Sequence, residues 1–372
     1  MIYLDNAATT AMFEEGADVY KKYACQSFYN PSASYAAALE ISKDLDGVRN
    51  LILSRLNASK GSVIFTGGAT ESNNLAVLGS LRNGKQEYLF SMGEHPSVFQ
   101  TAKYLESQGH TVHFVDLQPN GQVDYAKLES LLSERTRLIS IMHVSNETGA
   151  INDLCRINDL RRKLAPRALF HVDGVQAFCK IDFSVDEAEI DLYTLSAHKF
   201  HGPKGVGALY VRNIQALKNI IFGGGQEGGY RSGTENVPGI MAMGFAIDKI
   251  NVRQNFEKVQ SLKKAFLNKL AAVKGADWID SASPYIVSVG FKGVNGETLM
   301  RAVQDQGVII GKGSACSTKK AGNRILESMG LDKEQVKSHV RISFSEMLTV
   351  EEVEKAAEIL ANKYQEILEK VR

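Results

Sequence analysis

At 372 residues, with 44% hydrophobic and 23% charged residues, the chain is long enough for two domains with ordinary globular cores. Its 43 Lys and Arg against 42 Asp and Glu give no argument for a nucleic acid or an anionic membrane as a direct partner. Four scattered cysteines without a CxxC pair speak against a disulfide scaffold and against zinc, and no metal is expected.

The opening residues, Met1-Ile2-Tyr3-Leu4-Asp5, lack a basic segment leading into an apolar one. No apolar run approaches the roughly 18–20 residues of a bilayer span. The expectation is a soluble, cytoplasmic protein. Short apolar runs at 62–65, 87–91, 111–115, 138–142, 168–172 and 190–195 read as buried strands, with a further strand at 208–211. Stretches 72–81, 98–108 and 125–133 between them read as helices. This alternation predicts an α/β fold whose mainly parallel sheet is covered on both faces. From about 251 the pattern changes to a long helix (255–273), a strand (285–291), a helix (296–306), a strand (341–344) and a closing helix (350–369), which reads as a smaller α+β domain.

Parallel sheets hold ligands beyond the carboxyl ends of their strands, so the residues following each strand carry the chemistry. Gly67-Gly68-Ala69-Thr70 follows the first run, a tight turn whose next helix would offer free amides to an anion, or a plain strand-to-helix turn. Met92-Gly93-Glu94-His95 places a histidine that can stack on a flat ring or move protons, though a lone histidine is more often structural. Asn146 sits in Ser145-Asn146-Glu147-Thr148-Gly149, which is also ordinary turn chemistry. Asp173, with Gln176 three residues on, could pair with a protonated pyridine nitrogen or cap the next helix. Ser196-Ala197-His198-Lys199 then supplies a lysine able to form a Schiff base, beside a serine and a histidine able to bind a phosphate. Residues 223–234 hold too many glycines for a helix or strand interior and read as a loop approaching a ligand or another subunit, or as a plain surface loop. Cys316 lies in a small, polar, glycine-bounded segment, where an exposed and mobile thiol is expected, with Lys319 and Lys320 favouring its thiolate. Cys155 and Cys179 lie in apolar surroundings and read as structural, while Cys25 is open.

Taken in order, these motifs, with residues 3–10, Asn30-Pro31-Ser32, Arg231-Ser232-Gly233-Thr234 and Gly313-Ser314-Ala315-Cys316, resemble the NifS-like cysteine desulfurases of the class V aminotransferase family, pyridoxal 5'-phosphate enzymes of fold type I. The resemblance spans nearly the whole chain. It implies a large domain (14–250) with a mostly parallel seven-stranded sheet and a small domain (1–13 and 251–372) carrying the cysteine loop. It assigns Lys199 to the covalent bond with the cofactor. Ala69, Thr70, Ser196 and His198 would bind its phosphate, and Thr234 would reach that phosphate from the neighbouring subunit of a homodimer. Asp173 would pair with the ring nitrogen, Gln176 and Asn146 would lie by the ring hydroxyl and carboxylate side, and His95 would stack and transfer protons. Arg341, aided by Asn30 and Asn146, would hold the substrate carboxylate. The implied reaction takes sulfur from L-cysteine, leaving L-alanine and a persulfide on Cys316 that passes to a sulfur-acceptor protein for iron–sulfur clusters, thiolated tRNA or another thio-cofactor.

Three alternatives stay open: a selenocysteine lyase, another class V aminotransferase without use for Cys316, and a catalytically silent sulfur-transfer scaffold. A dinucleotide-binding enzyme lacks support, because no G-x-G-x-x-G run opens a helix after the first strand.

Overall fold

The computed structural model describes residues 1–313 and 323–371, and the expectations placed on Cys316, Lys319 and Lys320 lie outside them. Seven strands form the main sheet: β2 (Ser62–Thr66), β3 (Glu87–Ser91), β4 (Thr111–Val115), β5 (Thr136–Ser140), β6 (Leu169–Asp173), β7 (Leu192–Ser196) and β8 (Gly207–Val211), in the spatial order β2-β8-β7-β6-β5-β3-β4. Strands β4, β3, β5, β6 and β7 run parallel, and β8 is antiparallel to both β7 and β2. Strands β7 and β8 are buried along their whole length, as a sheet covered on both faces requires. One face packs a core that includes Ile139, Phe170, Tyr193 and Tyr210, and the other packs Leu75, Tyr88, Phe90 and Leu209.

Strand β5 ends two residues before its expected end, because the Met142 amide leaves the ladder and donates to Glu94 Oε1 at 2.6 Å. Helices not foreseen cover the sheet: α1 (Glu14–Cys25), α2 (Ala36–Arg55), α6 (Leu154–Leu164) and α7 (Val237–Lys249), beside α3 (Ala69–Gly79), α4 (Pro96–Ser107) and α5 (Tyr125–Leu131). Helix α6 corrects the expectation for Cys155. It buries Leu154, Ile157, Asn158 and Arg161 at helical spacing, which turns Cys155 to the exposed face. Cys179 is buried as expected, and burial pushes its thiol up to about 12.

The rest of the chain adds α8 (Val252–Leu270), an antiparallel sheet of β9 (Ala276–Trp278), β10 (Ile286–Phe291) and β12 (His339–Ser343), α9 (Gly296–Gln304), the short helices α10 (Arg324–Ser328) and α11 (Lys333–Ser338), and α12 (Val350–Val371). Asn251 starts α8 earlier than expected by accepting from the Gln254 amide at 3.1 Å. The amino-terminal strand β1 (Ile2–Leu4) pairs parallel with β11 (Val308–Ile310), so Leu4 joins the core of Phe266, Val289, Phe291 and Leu360. Among the described residues no helix is long and apolar enough to cross a membrane.

Gly174, in the turn leaving β6, admits no side chain, since a Cβ there would overlap the Tyr193 ring. That ring is fully buried and stacks on Phe183 at 4.9 Å, so it cannot yield. Gly174→Ala should cost about 1–3 kcal/mol, read as a lower urea midpoint with an unchanged slope. An unshifted midpoint would mean the turn relaxes freely.

Candidate active site

A cavity of about 1080 Å³ opens beyond the carboxyl ends of β2, β3, β6 and β7, lined among others by Ala69, Thr70, His95, Asn146, Asp173, Gln176, Ser196, His198, Lys199 and Arg341. Ten of the predicted site residues therefore meet in one space. Asn30 and Thr234 do not line it. Both are exposed, and Asn30 Oδ1 accepts from the Ser32 amide at 2.9 Å in a local turn.

Gly68 bridges β2 to α3 with φ 144, a conformation that favours glycine. No side chain caps α3, and its first turn presents the Ala69, Thr70 and Glu71 amides, which have no partner within the helix. Ser196 ends β7, and His198 and Lys199 form the 3₁₀ turn that follows. Burial, then Lys199 and Lys204, lower His198 to about 4, so the ring is neutral near pH 7. Its Nδ1 lies 3.2 Å from Thr9 Oγ1.

Lys199 Nζ donates to the carbonyl oxygens of Ala7 and Ala8, both at 2.7 Å. Burial and the Arg341 charge pull its pKa to about 8, against the opposing effect of Asp173 and Asp5. A much larger share of this amine is neutral near pH 7 than for an ordinary lysine. Asp173 does not cap a helix as one reading allowed, because turns and no helix follow β6. Its Oδ1 accepts from the Val175 amide at 3.1 Å, and its Oδ2 accepts from Asn73 Nδ2 at 2.8 Å while facing the cavity. His95 caps α4: its Nδ1 accepts from the Ser97 amide at 3.2 Å, which puts the neutral ring's proton on Nε2. Burial lowers its pKa as well.

Arg341, on β12, donates from Nη2 to Asp5 Oδ1 at 2.9 Å and from Nη1 to the Asn146 carbonyl at 2.9 Å, with Glu147 Oε1 at 3.5 Å. Its Nε and Asn146 Oδ1 are buried without a hydrogen-bond partner among the described residues. Asp5, Asn73, Glu147 and the Ala7 and Ala8 carbonyls received no role from the sequence. Asp5, Ala7 and Ala8 lie within the quoted stretch 3–10, so their place in the order of motifs was the available signal. Asn73 is the fourth residue after Ala69, one helical turn on, a spacing that keeps it on the helix face where its side chain meets Ser97 and Asp173.

The Aminotransferase class-V family model matches residues 2–356. A cysteine desulfurase IscS of Vibrio cholerae is 37% identical, covering 96% of this chain and 91% of that protein. The solved structure of a NifS-like protein superposes with a TM-score of 0.90 at 31% identity, covering 99% of each chain. The structure described as SspA in complex with cysteine superposes with a TM-score of 0.83 at 31% identity, covering 93% of this chain and 99% of that one.

Proposed function

The chain belongs to the class V aminotransferase family, and from that premise we propose that it is a cysteine desulfurase that uses pyridoxal 5'-phosphate to take sulfur from L-cysteine. The observation that carries this reading is Lys199, an amine made partly neutral inside a cavity shared with Asp173 and Arg341. The cavity fits the cofactor on its own chemistry. The open first turn of α3 with Ser196 and His198 suits a phosphate. The carboxylate of Asp173 suits a protonated ring nitrogen, and the unpartnered Asn146 Oδ1 suits a polar edge. Bound there, pyridoxal 5'-phosphate supplies an electron sink for charge developing at the substrate Cα.

The remaining work belongs to this chain's residues. Arg341 turns its guanidinium, with Nε still unpaired, to the substrate carboxylate. Lys199 Nζ, uncharged in part, removes the proton from Cα and returns one to the product carbon. His95 holds a proton on Nε2 for transfer at the substrate sulfur or nitrogen. Cys316, as thiolate, attacks the substrate sulfur: an S–S bond forms, the C–S bond breaks, its electron pair stays on the substrate's β-carbon, and protonation there yields L-alanine. The persulfide sulfur then passes to a thiol of an acceptor protein. Thr234, exposed in the single chain, is open to a second copy of the chain.

With a reductant and added cofactor, the wild-type protein should release alanine and sulfide from L-cysteine in equal amounts, and Cys316→Ala should release neither. Equal turnover by both proteins would remove Cys316 as the sulfur carrier.

A further inference from the structure

Behind the cavity, at the end of the turn that follows β6, lies a lysine that the proposed reaction does not use. Lys180 is 7% exposed, and no carboxylate lies within 4 Å of its Nζ among the described residues. Among the described residues its Nζ donates one hydrogen bond, to Gln176 Oε1 at 2.8 Å, with the Tyr285 ring centroid 5.5 Å away. Gln176 is itself 4% exposed, and its Nε2 donates to the Ala7 carbonyl at 2.9 Å. Lys199 Nζ shares that carbonyl at 2.7 Å. A buried lysine with so little compensation is costly to keep, which asks for a reason.

The reason lies in the amide. A glutamine side chain offers a donor end and an acceptor end of nearly equal shape, so its orientation is decided by its neighbours. Here both ends are decided. The Ala7 carbonyl accepts only, which draws Nε2 to it, and Lys180, as an ammonium, donates only, which draws Oε1 to it. The second N–H of Nε2 is what remains for the cavity. We propose, on the basis of the desulfurase reading above, that Lys180 is a positioning residue that locks the Gln176 amide so that it presents a donor, not an acceptor, to the ring-oxygen side of the cofactor. Burial, and then the Lys199 charge, lower Lys180 to about 7, while Glu346 opposes this, Arg341 adds to it and Cys179 opposes it weakly. The lock is therefore half engaged at about pH 7 and firmest well below it, where the ammonium is complete.

The test uses the reconstituted holoenzyme and the pH midpoint of the cofactor's visible absorption band, for wild type, Lys180→Met, Gln176→Ala and the double variant. One lost hydrogen bond moves such a midpoint by about half a pH unit to one unit. Lys180→Met and Gln176→Ala should each move it in the same direction, and the double variant should move it no further than Gln176→Ala alone, because Lys180 acts only through Gln176. A purely structural lysine would lower thermal stability and leave the midpoint in place; an unmoved Lys180→Met midpoint, or a double variant shifted beyond Gln176→Ala, overturns the proposal. If Lys180→Met does not fold, Lys180→Gln, which keeps an N–H donor, should fall between wild type and Gln176→Ala; a midpoint outside that interval overturns it equally. A wild-type protein that takes up no cofactor overturns the desulfurase reading itself, whereas a normal wild-type spectrum with an unmoved Lys180→Met midpoint overturns only the role given to Lys180.

Discussion

Lys199→Ala should form alanine from L-cysteine about 10⁴-fold more slowly than wild type or not at all, at the upper end of what a positioned proton-transfer group contributes. It should also fail to show the visible band of a covalently held cofactor. Lys199→Arg should be as inactive, since a guanidinium keeps the charge but does not give up a proton near neutral pH. The environment of Lys199 adds a pH signature. Burial and Arg341 disfavour the ammonium, so the amine becomes neutral around pH 8 instead of near its ordinary 10.5. The rate at which apoprotein captures pyridoxal 5'-phosphate should rise with pH and level off a little above 8. A rate still climbing steeply at pH 10 would show that the cavity does not depress the amine. The same shift bears on stability. Between about 8 and 10.5 the unfolded chain holds a proton that the folded one has shed, so this group's penalty on folding is complete below about 8 and fades as pH rises to 10.5.

Arg341→Gln should lower kcat/KM for L-cysteine by about 10²–10³-fold, since removing one member of a buried, hydrogen-bonded charge pair costs roughly 2–5 kcal/mol. Most of the loss should appear in KM. Arg341→Lys should be intermediate, because an ammonium keeps the charge without the planar fork that matches a carboxylate. Cysteamine, which is cysteine without its carboxylate, supplies the control: wild type should discriminate strongly against it, and Arg341→Gln should treat the two compounds nearly alike. An undiminished preference for cysteine would place carboxylate recognition elsewhere. The substitution also strands Asp5, 2.9 Å from Nη2, so a modest fall in thermal stability should accompany the kinetic effect.

The strands of the main sheet were legible because they are short apolar runs closed by polar turns, and β3 and β4 fall on their expected bounds. Helix α2 carries its own signal, since Ala38, Ile41, Leu45, Val48 and Ile52 recur at three- and four-residue spacing. Helix α7 offered no such signal. It is buried on nearly every side, and with two glycines and a proline its sequence shows neither period nor polar face. Within the site, the residues that follow strands could be named one by one, because each sits in a turn with recognisable chemistry. Asp5 and Glu147 escaped, because their partner lies far along the chain: Asp5 meets Arg341 across 336 positions, a pairing no local pattern encodes.

That distance has a consequence for how the protein is made. The strand β1 has no ladder until β11 is available, and Asp5 has no guanidinium until Arg341 is synthesised. The carbonyls that seat Lys199 follow directly after β1. On the ribosome the main sheet can therefore assemble, with Ala7 held by Gln176 and Thr10 by His198, while β1 and Asp5 still await their partners in the last quarter of the chain. A nascent or truncated chain lacking β11 and β12 would carry the amine of Lys199 without the Arg341 charge that helps to hold it partly neutral.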